Sequence, residues 1–209
     1  MKLGDRAGPL LKHLPNAMTL ARLVLAPVVA YAVWETNRPG GDYGAHTWAV
    51  AAAVLFVVAA LTDLFDGIAA RAFDADSKFG RIIDPIADKA LVGLPLIALA
   101  GAFYQRGVSY WLPAALAVGV IVGRDLMMTY VRLSASDGEG PRVSRLAKWK
   151  TALELIVVGT AVLLPLLPKI PGQDSLTGDL PLMILVWMTL LVVAAGLSAY
   201  TAVRYFVAK

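Results

Sequence analysis

The chain has 209 residues and no cysteine; 58% of its residues are hydrophobic and only 16% are charged. A soluble domain carries about 25% charged residues, so this composition excludes an ordinary soluble fold, and the lack of cysteine excludes disulfides and thiolate metal ligands. The chain has a net charge of +4. In a membrane protein, basic residues usually set the topology and contact anionic lipid, so we expect membrane lipids and no nucleic acid as partners.

Six apolar stretches are long enough to cross a bilayer, given about 20 residues for each spanning helix. In chain order they are residues 17–34, 47–66, 79–103, 108–133, 147–167 and 180–207. Short polar connections separate them, and the sequence shows no internal repeat and no second domain. The first stretch is longer than a signal-peptide core, so we expect it to remain as a helix. Residues 1–209 are therefore predicted to form one all-α transmembrane domain.

Lysine and arginine are unevenly divided between the two sides of this arrangement. With the amino terminus in the cytoplasm, thirteen of these residues fall on the cytoplasmic side and three on the other. The positive-inside rule then predicts that both termini are cytoplasmic. We expect a multi-pass protein of the inner (cytoplasmic) membrane.

Four aspartates interrupt the apolar sequence where the second predicted span ends and the third begins. Asp63 and Asp66 are three residues apart, and Asp84 and Asp88 are four apart, so each pair lies on one face of its helix. A charge near the bilayer centre costs about 2.5–3.5 kcal/mol on insertion scales, so four carboxylates are tolerated only near water or beside cations. If the two helices are antiparallel neighbours, their ends bring the carboxylates together. The cluster predicts a metal-dependent active site at the cytoplasmic membrane surface.

The ligand chemistry of this cluster is that of hard oxygen donors. Oxygen ligands without histidine or cysteine favour Mg²⁺, Mn²⁺ or Ca²⁺ over zinc or copper. Gly67 and Gly80 leave room for a ligand near the backbone, and Arg71 offers positive charge to a phosphate. The alternative is ordinary interfacial ion pairing of the aspartates with basic neighbours, namely Arg71, Lys78, Arg81 and Lys89.

A family signature matches the acidic cluster at every position. The matching residues are Asp63-x-x-Asp66-Gly67-x-x-Ala70-Arg71, followed by Gly80-x-x-x-Asp84-x-x-x-Asp88. This pattern resembles that of the CDP-alcohol phosphatidyltransferases. The resemblance extends to an opening Pro15-Asn16-x-x-Thr19-x-x-Arg22 and to the basic stretch 144–151. It implies a six-helix membrane enzyme, commonly a homodimer, that acts on a CDP-linked lipid such as CDP-diacylglycerol.

The resemblance also implies roles for individual residues. By analogy, Asp63, Asp66 and Asp84 bind two divalent ions, Mg²⁺ or Mn²⁺. Asp88 shares a ligand role and is the base that takes a proton from the acceptor hydroxyl. The residues implied to line the pocket for the CDP-lipid are Asn16, Gly67, Arg71, Ser77 and Gly80. For Asn16, the alternative is that it caps the amino terminus of the first helix.

A second group of charged residues lies at the cytoplasmic ends of the fourth and fifth predicted spans. These cations suit a phosphate on the acceptor, although topology and anionic lipid are an alternative explanation for each. Arg124 lies in apolar sequence, so it is expected to pair with Asp125 or with a substrate phosphate. Glu154 is expected to pair with Lys150, four residues earlier. The candidate acceptor-binding residues are Arg124, Arg132, Arg142, Arg145, Lys148 and Lys150.

The choice of acceptor follows from finer resemblances within the family. The opening motif and residues 144–151 are similar to those of the phosphatidylglycerophosphate synthases, which use glycerol 3-phosphate. The pair Arg124-Asp125 and the stretch 197–200 are similar to those of the cardiolipin synthases, which use phosphatidylglycerol. We expect glycerol 3-phosphate, with phosphatidylglycerol as the alternative. A different class of protein, a transporter with a buried cation site, is a further alternative. Such a transporter is expected to have broken helices and repeats, and the sequence shows neither.

Overall fold

The computed structural model describes residues 9–40, 44–73, 78–134, 145–167 and 182–207; side chains are described from residue 16, except those of 64–73, 78, 79, 81, 132, 145 and 147. The described residues form helices and turns and contain no strand. The helices are α1 (Pro9–Asn37), α2 (Ala45–Phe73), α3 (Lys78–Arg106), α4 (Trp111–Ser134), α5 (Arg145–Leu163) and α6 (Leu182–Val207).

Each of these helices contains a stretch long and apolar enough to cross a membrane. The shortest stretches have 19 residues, which corresponds to about 28 Å of helix and matches the hydrocarbon thickness of a bilayer. Large apolar side chains such as Val24, Leu116 and Leu185 are exposed on the outside of the bundle, where lipid would contact them. For the described residues, the prediction of an all-α fold with six helices suited to crossing a membrane is confirmed.

The second helix extends beyond its predicted span at the end that carries the aspartates. α2 continues to Phe73, seven residues past the predicted end, whereas α3 begins at Lys78, within one residue of its predicted start. Residues 67–73 are rich in alanine and include an arginine, and these residues favour helix without needing an apolar environment. The aspartates therefore lie within continuous helices rather than at helix ends.

The first helix packs between the second and the third. α1 makes extensive contacts with both α2 and α3, whereas α2 and α3 contact each other little. The neighbouring pair expected from the sequence is thus separated by α1. Small side chains permit this close packing, as is usual between membrane helices: Ala26 and Ala32 on α1 and Ala59 on α2 are all buried.

A glycine near the far end of α3 brings α1 especially close. The ring of Trp34 on α1 lies against Gly101, where a side-chain carbon would be 2.9 Å from the ring. α3 ends at Arg106, and the next residue, Gly107, has a φ of +65°, which suits glycine after a helix. The short turn that follows returns the chain into α4, which packs against α3 and α6.

Candidate active site

Two polar residues of α1 contact aspartates from both neighbouring helices. Thr19 Oγ1 donates a hydrogen bond of 2.6 Å to Asp84 Oδ1 on α3. One turn later, Arg22 Nη1 donates to Asp63 Oδ1 on α2 at 2.5 Å, and it also contacts Asp88 Oδ1 on α3. The position of α1 between its neighbours therefore brings three of the four predicted aspartates around one helix face.

This cluster is buried on one side and open on the other. The Arg22 side chain is 1% exposed, whereas those of Asp63 and Asp88 are 48% and 42% exposed. The guanidinium thus lies beneath the carboxylates, and its burial is tolerated because carboxylates pair with it. A ligand that approaches from the open side meets carboxylate oxygens first.

The donor set suits a hard divalent cation by its chemistry. It offers carboxylate oxygens alone, which Mg²⁺ and Mn²⁺ prefer, and two of these oxygens approach the same guanidinium nitrogen. Among the described side chains, no three carboxylate or imidazole groups form a metal cluster by themselves. The side chain of Asp66, the fourth predicted ligand, lies outside the described part of the chain.

The residues predicted to bind the CDP-lipid are described only in part. The surroundings of Gly67 and the side chain of Arg71 on α2, and the whole of Ser77, lie outside the described residues. Gly80 is buried near the start of α3, and Asn16 is half-buried on α1, one turn before Thr19. The alternative that Asn16 caps a helix is wrong, because α1 begins at Pro9 and Asn16 lies inside it.

A second polar cluster joins α3, α4 and α5 around the carboxylate of Asp125. Arg124 Nη1 lies 2.9 Å from Asp125 Oδ1, and Lys89 Nζ lies 3.3 Å from Oδ2. Lys150 Nζ contacts Asp125 Oδ1 and lies 2.9 Å from Glu154 Oε1. The predicted pairs Arg124–Asp125 and Lys150–Glu154 are therefore confirmed, and one buried carboxylate links cations from three helices.

The six cations predicted to bind the acceptor differ in burial and in their contacts with this second cluster. Lys150 is buried, with two carboxylates beside its ammonium group, which argues against direct contact between Lys150 and an acceptor. Arg124 is partly exposed and also donates to Thr201 Oγ1 on α6 at 3.2 Å. Lys148 is exposed. The side chains of Arg132 and Arg145, and all of Arg142, lie outside the described residues.

Thr19 and Arg22 belong to the site although the sequence pattern alone did not give them a role. The signal that was available is an arginine inside an apolar stretch, with a threonine three residues earlier on the same helix face. A charged residue within a membrane span is a functional candidate by default. The sequence did not show which aspartates these two side chains contact, since the contacts depend on how α1 packs.

Comparison with known proteins gives a consistent set of similarities. The family model for CDP-alcohol phosphatidyltransferase matches residues 12–195, which include both polar clusters. A Cereibacter sphaeroides protein named CDP-diacylglycerol–glycerol-3-phosphate 3-phosphatidyltransferase is 37% identical over 69% of this chain, and the match spans 61% of that relative's length. A Rickettsia felis protein of the same name is 32% identical over 93% of this chain and 94% of its own. A protein from Oryza sativa subsp. japonica named cardiolipin synthase (CMP-forming) is 30% identical over 94% of this chain and 57% of its own.

Proposed function

Because the chain belongs to the CDP-alcohol phosphatidyltransferase family, we propose that it transfers the phosphatidyl group of CDP-diacylglycerol to sn-glycerol 3-phosphate and releases CMP. The observation that carries this proposal is the gathering of Asp63, Asp84 and Asp88 on the open side of α1. The relatives from C. sphaeroides and R. felis, whose names specify glycerol 3-phosphate, support this acceptor.

The reaction needs charge neutralisation and correct placement of two anionic substrates. Asp63, Asp66, Asp84 and Asp88 would hold two divalent ions, Mg²⁺ or Mn²⁺, and bound ions would neutralise and orient the donor's diphosphate. Asp88 accepts the proton from the acceptor hydroxyl. A bond then forms between that oxygen and the lipid phosphorus, and the bond from this phosphorus to the CMP oxygen breaks.

The remaining residues of the proposed donor pocket hold the nucleotide and the diphosphate. Gly67 and Gly80 allow close approach to the backbone, and Arg71 pairs with phosphate oxygens. Ser77 and Asn16 supply polar contacts to the same ligand. The half-buried position of Asn16, one turn from Thr19, is consistent with a place at the edge of this pocket.

The acceptor phosphate is proposed to bind at the cationic end of α4 and α5. Arg124 is the central residue, because a guanidinium binds a phosphate with two parallel hydrogen bonds. Lys148 is exposed, and with Arg132, Arg142 and Arg145 it supplies further positive charge. Lys150 acts indirectly in this proposal, through the Asp125 carboxylate that it shares with Arg124.

Phosphatidylglycerol is the second candidate acceptor. The rice cardiolipin synthase resembles nearly the whole of this chain, and the pair Arg124-Asp125 is the sequence feature that favours this candidate. A lipid acceptor would enter from the bilayer, whereas glycerol 3-phosphate would enter from water. The two acceptors therefore differ in product and in route.

The protein is multi-pass, with six helices suited to a membrane. We propose that residues 1–209 form one domain in the inner (cytoplasmic) membrane, with both termini and the active site facing the cytoplasm. The excess of basic residues on that side supports this orientation. A homodimer is proposed from the family resemblance, and light scattering of the purified protein in detergent tests it.

The acceptor is tested by product analysis with purified protein. CDP-diacylglycerol and Mg²⁺ are supplied with glycerol 3-phosphate or with phosphatidylglycerol, and the lipid product is identified by mass spectrometry. We expect phosphatidylglycerophosphate and CMP from the first mixture. Cardiolipin from the second mixture alone would establish the alternative acceptor, and no CMP from either would contradict the proposed activity.

A further inference from the structure

The guanidinium of Arg22 contacts carboxylates that reach it from two different helices. Nη1 lies 2.5 Å from Asp63 Oδ1 on α2 and also contacts Asp88 Oδ1 on α3. We propose that Arg22 is a built-in counter-cation, which holds these carboxylates together and competes with divalent ions for the same oxygens. It would thereby set the affinity of the site for its metal ions. The inference rests on the proposed metal-dependent function.

The position of Arg22 is fixed by packing. Its side chain is buried under the two half-exposed carboxylates, and Ala26 and Val29, on the next turns of α1, are fully buried. α1 is in contact with both α2 and α3, so the guanidinium is enclosed where these helices meet. An ion that binds Asp63 and Asp88 must therefore bind close to a positive charge that stays in place.

This arrangement has opposite effects on folding and on ion binding. Carboxylates gathered at one place repel one another, and a cation that contacts two of them reduces this repulsion. The same charge repels an incoming divalent ion, and it shares the oxygen atoms that the ion would use. Arg22 should therefore stabilise the protein without ions and weaken the binding of ions, because both effects have one electrostatic cause.

Thr19 is the neutral counterpart of Arg22 on the same helix face. It is also buried, and it donates a hydrogen bond to another proposed metal ligand, Asp84. Replacement of Thr19 by valine removes this hydrogen bond and leaves the charge of the site unchanged. Thr19→Val is therefore the matched control that separates charge from hydrogen bonding and packing.

The experiment measures ion binding and ion-dependent stability in the full-length protein in detergent. Thermal unfolding is followed by the fluorescence of the five tryptophans, with and without Mg²⁺, and Mn²⁺ binding is measured from the free-ion signal in electron paramagnetic resonance. For Arg22→Gln we expect a lower Tm without ions, a larger increase in Tm with Mg²⁺, and a Kd for Mn²⁺ reduced at least about threefold. For Arg22→Lys we expect a Kd within about twofold of the original protein's, since the charge is kept, and for Thr19→Val a smaller change than for Arg22→Gln, since only a hydrogen bond to Asp84 is lost.

The outcomes distinguish this inference from the proposed function. Equal ion responses of the original protein and Arg22→Gln would overturn the inference alone, because Arg22 would then have only a packing role. An original protein that binds neither ion would contradict the proposed metal-dependent function and the inference with it. Recovery of folded Arg22→Gln only when Mg²⁺ is present during purification would support the inference. Failure to recover it even then would overturn it.

Discussion

Arg22 and Asp88 are 66 positions apart in the sequence, and their side chains form an ion pair where α1 packs against α3. The pair joins a fully buried cation to a carboxylate that is open to ligands. Because Asp63 reaches the same guanidinium nitrogen from α2, one residue of α1 determines how two other helices present their acidic groups. The first helix is thus part of the candidate active site as well as a membrane span.

Replacement of one acidic residue should remove activity and leave the fold intact. We expect Asp84→Asn, and likewise Asp66→Asn, to lower the rate of CMP release at least about a hundredfold, since a neutral amide is a poor ligand for Mg²⁺. Glu35→Gln is the control, because Glu35 lies near the other end of α1 in a pair with Arg38. Near-normal turnover of either aspartate variant, with an unchanged elution profile, would show that the metal assignment is wrong.

Removal of divalent ions should stop the reaction reversibly. The proposed metal ligands are all carboxylates, which cannot neutralise the donor's diphosphate themselves, so the site needs bound Mg²⁺ or Mn²⁺ in addition to Arg71. We expect EDTA to abolish CMP release and either ion to restore it, whereas NaCl at matched ionic strength does not. Full activity after exhaustive chelation would rule out the ion-dependent reaction.

Arg124 should affect the acceptor selectively. Arg124→Ala is expected to raise the KM for glycerol 3-phosphate roughly tenfold, because a charge-assisted contact with phosphate is lost. The KM for CDP-diacylglycerol should stay unchanged. Arg106→Ala is the control, since Arg106 is exposed near the other end of α3. If the variant keeps the original KM for glycerol 3-phosphate, Arg124 does not bind the acceptor.

Asp125 should be important for stability, because it is the carboxylate that links three cations. Asp125→Asn leaves Lys150 buried with Glu154 as its remaining acidic partner in the described cluster. Breaking a buried ion pair costs about 3–5 kcal/mol, so we expect Tm to fall by roughly 10 °C. An unchanged Tm for this variant would mean that the cluster contributes little to folding.

The orientation in the membrane can be tested with single cysteines, because the natural chain has none. Pro39 and Ser134 are exposed and lie on opposite sides of the predicted topology. We expect a membrane-impermeant maleimide to label Pro39→Cys in intact spheroplasts, and Ser134→Cys only after permeabilisation. The reverse pattern would place the aspartates on the outer side.

The membrane-spanning architecture was predictable from the sequence because it depends on a local property. A stretch of about 20 apolar residues satisfies its backbone hydrogen bonds as a helix, whatever its neighbours are. The extension of α2 to Phe73 was not predicted, since hydropathy identifies the part of a helix inside lipid and not the part that continues into water.

The site was predictable only where its residues are close in sequence. The contacts of Arg124 with Asp125 and of Lys150 with Glu154 follow from spacings of one and four residues. The contacts of Arg22 with Asp63 and Asp88 depend on the packing of α1 between α2 and α3. No periodicity within a single helix contains that information.

The contact between Trp34 and Gly101 has a consequence for the chemistry at the opposite end of the same helices. Trp34 follows Arg22 by twelve residues, and Gly101 follows Asp88 by thirteen. α1 and α3 therefore run in the same direction and contact each other at two points about 18 Å apart along their axes. A bulkier residue at position 101 would force the tryptophan ring, or one of the two helices, to shift. The alignment of guanidinium and carboxylate therefore depends in part on a packing contact far from both groups.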